Sequence, residues 1–420
     1  MITSARTLYD RHHRVVHAYL SMVGGSVVRL VLSLVYFVCV ANVLPISEFG
    51  LFASASATGV MVSRALAFGF MSPLYRVATV KHRLIGTYTA GFLAGGLLSL
   101  PLVMALCTLI YLLLFAQDMA SSVFLRFMLA EIICWRGLEV VSNVLNGTGQ
   151  FARSALMVVI GQALRTLSAV LFYALAFNTL AAWSSFYLAS NVLSLAIAIT
   201  IFYPKVRLRW RPALYVRRWV DSVSVAGAEI LFYVQSEFDK LVVLAAGGPE
   251  VTGIYAIVMR LADLTALPVR SFNTLLVQQI MRSPAILKRG RTKPMIEAMI
   301  AGVSFLAIAS MALYLMLFPR GLGGNVAQIA PYVAMVLLVP AFRNLVEYHS
   351  ELLYATGQTV RRVVNLAGLG ALKIGLLSAL LAYTTAPGGW VPLLNLVFFA
   401  VYATSMILTY PAVKRWAAAR

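Results

Sequence analysis

From residue 17 to residue 413 the chain is one apolar run after another, each about 20 to 28 residues long and closed by a short polar turn. A helix of about 20 residues crosses the ~30 Å hydrocarbon core of a bilayer, where every backbone polar group must find its partner within the protein. An all-α integral membrane protein is therefore expected, with spans at 17–43, 47–74, 86–116, 119–146, 152–177, 179–203, 219–246, 251–281, 294–318, 325–355, 359–384 and 389–413. The tenth is long enough to be tilted or broken at Pro340. The residue balance agrees: 61% hydrophobic against 11% charged, with a mean hydropathy of +0.87, excludes a soluble protein of ordinary fold. No cleavable signal is read at the N-terminus, because Arg6, Arg11 and Arg14 run into a span too long for a signal core.

The formal charge of +20 is not spread evenly over the loops. Of 34 Lys and Arg, 23 fall in loops on the side of the N-terminus and one, Arg320, on the other, leaving ten inside spans. That asymmetry is the positive-inside pattern and places both termini in the cytoplasm. The basic stretch 205–218 is suited to anionic lipid headgroups. Nucleic acid is not an expected partner, since no basic-aromatic module lies outside the membrane. The opposite loops are too short for a catalytic domain, and the chain carries no Walker A, HExxH or GxSxG sequence. Cys39, Cys107 and Cys134 lie within spans, so free thiols are expected; His12, His13 and His17 are read as interfacial. No metal or cofactor is expected.

The chain also repeats itself. EVVSNVLNGTGQFAR at 139–153 and EYHSELLYATGQTVR at 347–361 share 7 of 15 residues at a shift of 208. An earlier echo pairs EFGLFA at 48–53 with VTGIYA at 251–256, a shift of 203. Two related halves of roughly 205 residues follow, with a site expected between them. An even number of spans between the copies predicts a two-fold axis along the membrane normal, with Gly149 and Gly357 each ending a helix in the left-handed conformation.

An Arg at mid-membrane costs about 2.5–3.5 kcal/mol on insertion scales, so the ten bases inside spans need an account. Arg126 is near a span end and can snorkel, and Lys240 adjoins Asp239. Arg136, Glu139, Asn143 and Asn146 share one helix face with an internal ion pair, and Arg343, Glu347 and Glu351 repeat the idea. Such faces suit either interhelical pairing or a wet pathway. Arg29, Arg64, Arg165 and Lys373 have no obvious partner in their own helices. Arg29 and Arg64 lie about 16 Å above the cytoplasmic edge at 1.5 Å per residue. Either a bound anion or an interhelical acid, such as Glu131 or Glu229, would neutralise them. Arg260, Asp263, Leu267 and Arg270 share one arc of the eighth span, where Glu229 is placed to neutralise Arg270.

The doubled TGQ turn, the turn of Pro45, Glu48, Phe49 and Gly50, the Asp239–Lys240 pair and the GIYA…Arg260 run together resemble one family. They are similar to the polysaccharide (O-antigen, Wzx-type) flippases of the multidrug/oligosaccharidyl-lipid/polysaccharide exporter superfamily, over nearly the full length. The resemblance implies about twelve transmembrane helices in two pseudo-symmetric six-helix bundles, 1–204 and 219–420, joined by the basic linker 205–218 around a central cavity. It implies movement of an undecaprenyl-diphosphate-linked oligosaccharide between leaflets, alongside a polysaccharide polymerase and chain-length proteins. By motif position Arg29, Arg64 and Arg260 or Arg270 would meet the diphosphate, while Glu139, Arg165, Glu229, Asp263, Glu347 and Lys373 are cavity or coupling candidates. Twelve spans rather than the fourteen of lipid II flippases imply that the extra lipid groove of that branch is absent. The alternatives are a multidrug-type cation exporter of the same superfamily, a membrane glycosyltransferase or polymerase, and a scaffold. Unpaired bases rather than unpaired acids in the first two spans argue against the cation exporter.

Overall fold

The computed structural model describes residues 28–282 and 292–418, with some side chains of the eighth span left aside. Among these residues the chain is helical throughout, without strands. Helix α1 is Val28–Val43, followed by α2 Ile46–Ser63, α3 Met71–Val80, α4 Ile85–Leu114, α5 Ser121–Met128 and α6 Arg136–Gly147. Then come α7 Phe151–Ala174, α8 Leu180–Ile197, the short α9 Pro212–Arg217, α10 Trp219–Glu237 and α11 Asp239–Arg282. The remainder is α12 Thr292–Leu317, α13 Gly324–Met335, α14 Val339–Ala355, α15 Thr359–Tyr383 and α16 Pro387–Ala418. Seven helices are long and apolar enough to cross a membrane, nine when each of two bent pairs counts as one span. Among the described residues each expected span overlaps helix, the seventh and eighth sharing α11, so the chain is a multi-pass membrane protein; residues 17–27 of the expected first span lie outside the described residues.

The breaks have local causes. The tenth span bends by 70° between α13 and α14, where Pro340 sits in the first turn of the new helix and has no N–H to lose. In α11 Gly248 (φ 79°, ψ −179°) separates the end of the seventh span from the start of the eighth. A break that was not expected parts α2 from α3 by 52°. There Ala67, Phe68 and Gly69 all have positive φ, and the freed Ala67 N–H donates to Ser99 Oγ at 2.9 Å. Between α5 and α6 the fourth span loosens into a π-helical segment, Leu129–Trp135, a distortion that recurs at functional sites.

The two TGQ turns are built alike. Gly149 and Gly357 have φ of 76° and 74°, as the left-handed helix end requires. In both, the Gln N–H reaches back five residues, Gln150 to Leu145 and Gln358 to Leu353, at 2.8 and 2.9 Å. Arg153 and Arg361 each donate to the Gln side chain at 2.7 Å. The earlier echo has a different consequence, because its two copies touch. A Cβ on Gly50 would lie 2.3 Å from the Pro249 carbonyl oxygen, and one on Gly253 would lie 2.0 Å from that of Ile46. Gly50 and Gly253, and likewise Ile46 and Pro249, are related by the same shift of 203. Reciprocal contacts of this kind mark an isologous interface, so a pseudo-two-fold axis passes between the start of α2 and the segment of α11 that follows the Gly248 break.

Around that axis the halves are stitched together. Asn42 donates to the Leu322 carbonyl at 2.6 Å, and Asn325 donates to those of Ala41 and Leu44 at 2.9 and 2.8 Å. One end of the molecule, carrying Pro45, Pro249 and Gly323, is thereby sealed. Along one flank α2 and α3 also stay against α10, where Phe68 meets Trp219 with ring centroids 4.7 Å apart.

Candidate functional site

Between the halves, beneath the seal, lies a cavity of about 280 Å³. One wall carries Tyr36, Ser56, Glu131, Trp135, Arg165 and Tyr187; the other carries Glu237, Lys240, Arg260 and Asp263. A second cavity of about 380 Å³ adjoins it at Trp135 and holds Arg29, Arg64, Glu139 and Asn143. A third, of about 130 Å³, is inside the C-terminal half and is lined by Asp263, Arg343, Glu347, Glu351, Arg362 and Lys373.

The expected bases separate into two classes. Arg64 is not unpartnered: it forks onto Glu139 with bonds of 2.7 and 2.8 Å, and Glu229 approaches to 3.9 Å. The expected Arg136–Glu139 pair is present at 2.8 Å, and Arg136 also reaches Glu229 at 3.1 Å. Four charges from α6, α10 and the end of α2 thus neutralise one another, and Glu229, a candidate neutraliser of Arg270, is engaged here with Arg136. Arg64 keeps helical backbone angles at the end of α2, and the break begins only after it, at Ala67. Lys373 is also paired, with buried Asp239 at 3.1 Å, and it donates to the Gln235 carbonyl. The expected pairing within the tenth span gives way to pairs between helices: Arg343 joins Asp263 at 2.9 Å and Glu351 joins Arg362 at 2.8 Å. Glu347 lines the C-terminal cavity and is itself engaged. Lys240 pairs with Glu237 rather than with its neighbour Asp239.

Arg29, Arg165 and Arg260 form the second class, and among the described residues none makes an ion pair. Arg29 is exposed on the wall it shares with Arg64. Arg260 crosses to the other half and donates to Ser33 Oγ at 2.6 Å. Arg165 sits over the Trp135 ring, its Cζ 4.0 Å from the centroid, and its buried Nε has no partner. Arg270 is on α11, but its side chain lies outside the described residues, as do His12, His13 and His17.

Glu131 was weighed only as a partner for Arg29 or Arg64, and it pairs with neither. It is 3% exposed and accepts from Ser56 Oγ at 2.6 Å and from the Tyr187 hydroxyl at 2.5 Å. The signal available in sequence was its acid type within an apolar span; its orientation depends on the π segment, which spacing alone does not reveal. A second buried group, remote from the cavity, joins His349 to Glu297 at 2.8 Å, with the Tyr402 and Tyr410 hydroxyls on the same carboxylate. Arg126, as expected of a span-end base, donates to Ala181 O, Ser184 Oγ and Ser185 Oγ at 3.1–3.2 Å.

Comparison with known proteins bears on the fold. No family model and no curated protein matches the chain. Among solved structures, an inward-facing multidrug resistance MATE family transporter of the MOP superfamily aligns at TM-score 0.68 and 14% identity, over 93% of this chain and 99% of that one. An outward-facing transporter of the same description aligns at 0.52 and 15% identity, over 94% of this chain and 93% of that one. A MOP superfamily transporter from Pyrococcus furiosus aligns at 0.55 and 15% identity, over 93% of each chain; its binding pocket is described as having reversed polarity that suggests a different function. This chain therefore has the two-bundle, all-helical fold seen in those MATE transporters.

Proposed function

We propose that this chain carries an undecaprenyl-diphosphate-linked oligosaccharide from the inner to the outer leaflet of a bacterial inner membrane by alternating access. One observation carries the reading: among the described residues Arg260, in the cavity between the halves, and Arg29, in the adjoining cavity of the N-terminal half, have no carboxylate partners, whereas Glu139, Glu229 and Asp263 are already held by Arg. An anionic headgroup completes such a wall, and an organic cation does not. Neither a diphosphate nor its sugars cross hydrocarbon unaided, because each polar group would lose its water without replacement. Arginine supplies forked, charge-assisted donors to phosphate, while the isoprenoid tail remains in the bilayer. The sealed end is then the periplasmic one, and the basic loops and both termini face the cytoplasm. That assignment agrees with the higher similarity to an inward-facing transporter than to an outward-facing one. The reversed pocket polarity described for the Pyrococcus furiosus protein supports reading function from the sign of the wall charge.

A multidrug-type cation exporter is the second reading, favoured by Glu131, a cavity carboxylate with hydroxyl donors and no Arg or Lys in ion-pair contact. The two separate in cells lacking the native gene. Arg29→Ala with Arg260→Ala is expected to abolish surface glycan and leave the lipid-linked oligosaccharide in the inner leaflet at normal protein level. Normal glycan export by that stable double variant sinks the reading. Efflux of a cationic dye that depends on Glu131, with no effect on glycan, establishes the second.

A further inference from the structure

The two halves treat one equivalent position in opposite ways. In the C-terminal half Lys373 of α15 pairs with Asp239 at 3.1 Å; the Tyr255 hydroxyl donates to the same carboxylate oxygen at 2.9 Å, and Tyr255 packs on Trp390, 6.3 Å between ring centroids. The shift of 208 that aligns the TGQ turns carries Lys373 onto Arg165, and the shift of 203 carries Asp239 onto Tyr36 and Tyr255 onto Phe52. Trp390 answers to Trp183. The packing repeats as the numbering does: Phe52 and Tyr36 lie 5.8 and 5.9 Å from the Trp183 ring, and Tyr36 and Arg165 line one cavity. Each half therefore has a base in the same place on its fifth helix. Only the C-terminal half supplies the carboxylate.

The consequence is chemical. Lys373 is 3% exposed and internally neutralised, while Arg165 opens onto the cavity with the charge that Asp239 would have cancelled. The Trp135 ring anchors the Arg165 guanidinium, whose Cζ is 4.0 Å from the ring centroid, at the cavity wall, and the buried Nε of Arg165 has no partner. Arg260 stands on the facing wall, tethered to Ser33. Glu131 lines the same space, but the hydroxyls of Ser56 and Tyr187 occupy its Oε1 and it makes no ion pair with Arg165. We infer that Arg165, on its Trp135 shelf and opposite Arg260, is a phosphate-binding subsite created by the replacement of the repeat carboxylate with Tyr36. It deepens the exporter reading and rests on it for the identity of the ligand, a phosphate or diphosphate ester borne by a lipid or free.

The proposal has a direct test, which is to put the carboxylate back. The full-length chain in nanodiscs is titrated with farnesyl diphosphate and, separately, with inorganic pyrophosphate, in the wild type and in Arg165→Gln, Tyr36→Asp and Tyr36→Asp with Phe52→Tyr. The double variant copies the C-terminal arrangement, so it preserves folding where the single acid does not. Loss of one charge-assisted contact predicts a fall in affinity of about tenfold to a hundredfold in Arg165→Gln and in the double variant. A fall for both ligands places the site on the phosphate itself; a fall for farnesyl diphosphate alone assigns the lipid-borne source. Unchanged binding in a folded Arg165→Gln or double variant overturns the subsite and leaves the exporter reading intact. Absence of diphosphate binding by the wild type overturns it as well. Arg165-dependent pyrophosphate binding in a chain whose loss leaves surface glycan unaffected keeps the subsite and removes the exporter reading.

Discussion

Arg64 and Arg29 lie at similar depth in adjacent spans, yet they answer to different physics. A helix rises 1.5 Å per residue, so counting from the span edges sets both at mid-span in the sequence reading. The partner of Arg64 was not legible, since its fork onto Glu139 depends on how α2 and α6 are rotated against each other, which no spacing encodes. Arg64 is 4% exposed, so Arg64→Ala strands a partly buried carboxylate. The loss is expected near the low end of the ~3–5 kcal/mol typical of a broken buried pair, because Arg136 still holds Glu139. Thermal unfolding in detergent should show a lowered midpoint, largely restored when Glu139→Gln is added. A destabilised single variant that Glu139→Gln does not rescue would contradict the pairing account. Arg29→Ala removes an exposed base without an ion-pair partner, so its stability should match the wild type. Glu131 and Arg165 show the other boundary of sequence reading. Their residue types were visible, but the hydroxyls and the indole that hold them come from helices whose mutual rotation no spacing encodes.

Among the elements, the TGQ turns were the most legible, because a Gly directly after a helix with a polar residue on each side has few other conformations to take. No heavy atom lies within 4 Å of a Cβ built on Gly149 or Gly357, so substitution there tests backbone conformation alone. Gly357→Ala is expected to cost about 1–2 kcal/mol, the ordinary left-handed penalty for an L-residue. Gly357→Asn should recover part of it, since Asn tolerates this region better. Equal unfolding midpoints for glycine, alanine and asparagine would show that the turn relaxes instead. The bend before Pro340 was similarly legible, because proline cannot continue the hydrogen-bond ladder. The break between α2 and α3 was not. Ala67 and Phe68 are poor residues for positive φ, and their conformation is held by tertiary contacts: Ser99 on the Ala67 N–H, and the backbone of Ser222 against Gly69. The second span therefore reads as continuous until its neighbours are present.

For the molecule as a whole, the shared shift of 203 made the two halves visible, but not that the echoed residues meet each other. Gly50 and Gly253 are small because the backbones of α2 and α11 cross there, with each glycine facing a carbonyl of the opposite half. Any Cβ at Gly253 would sit 2.0 Å from the Ile46 oxygen, and backbone on both sides leaves no flexible side chain to yield. Gly253→Ala must therefore weaken the seal relative to the state in which the two helix starts part, and Gly50→Ala should act the same way through Pro249. The shift is readable by labelling. Cys39, Cys107 and Cys134 are free and are first replaced by serine, after which Ala57→Cys places a single thiol on the cavity wall below the crossing. An impermeant maleimide added from the periplasm should label that thiol poorly when both glycines are present and severalfold faster with Gly253→Ala. Under the proposed orientation, with the sealed end periplasmic, pre-blocking from the cytoplasm should protect it in both backgrounds. Unchanged periplasmic labelling in a stable Gly253→Ala variant would mean that the crossing does not govern access. The halves would then have to part at the Asn42–Asn325 contacts, about which the paired glycines say nothing.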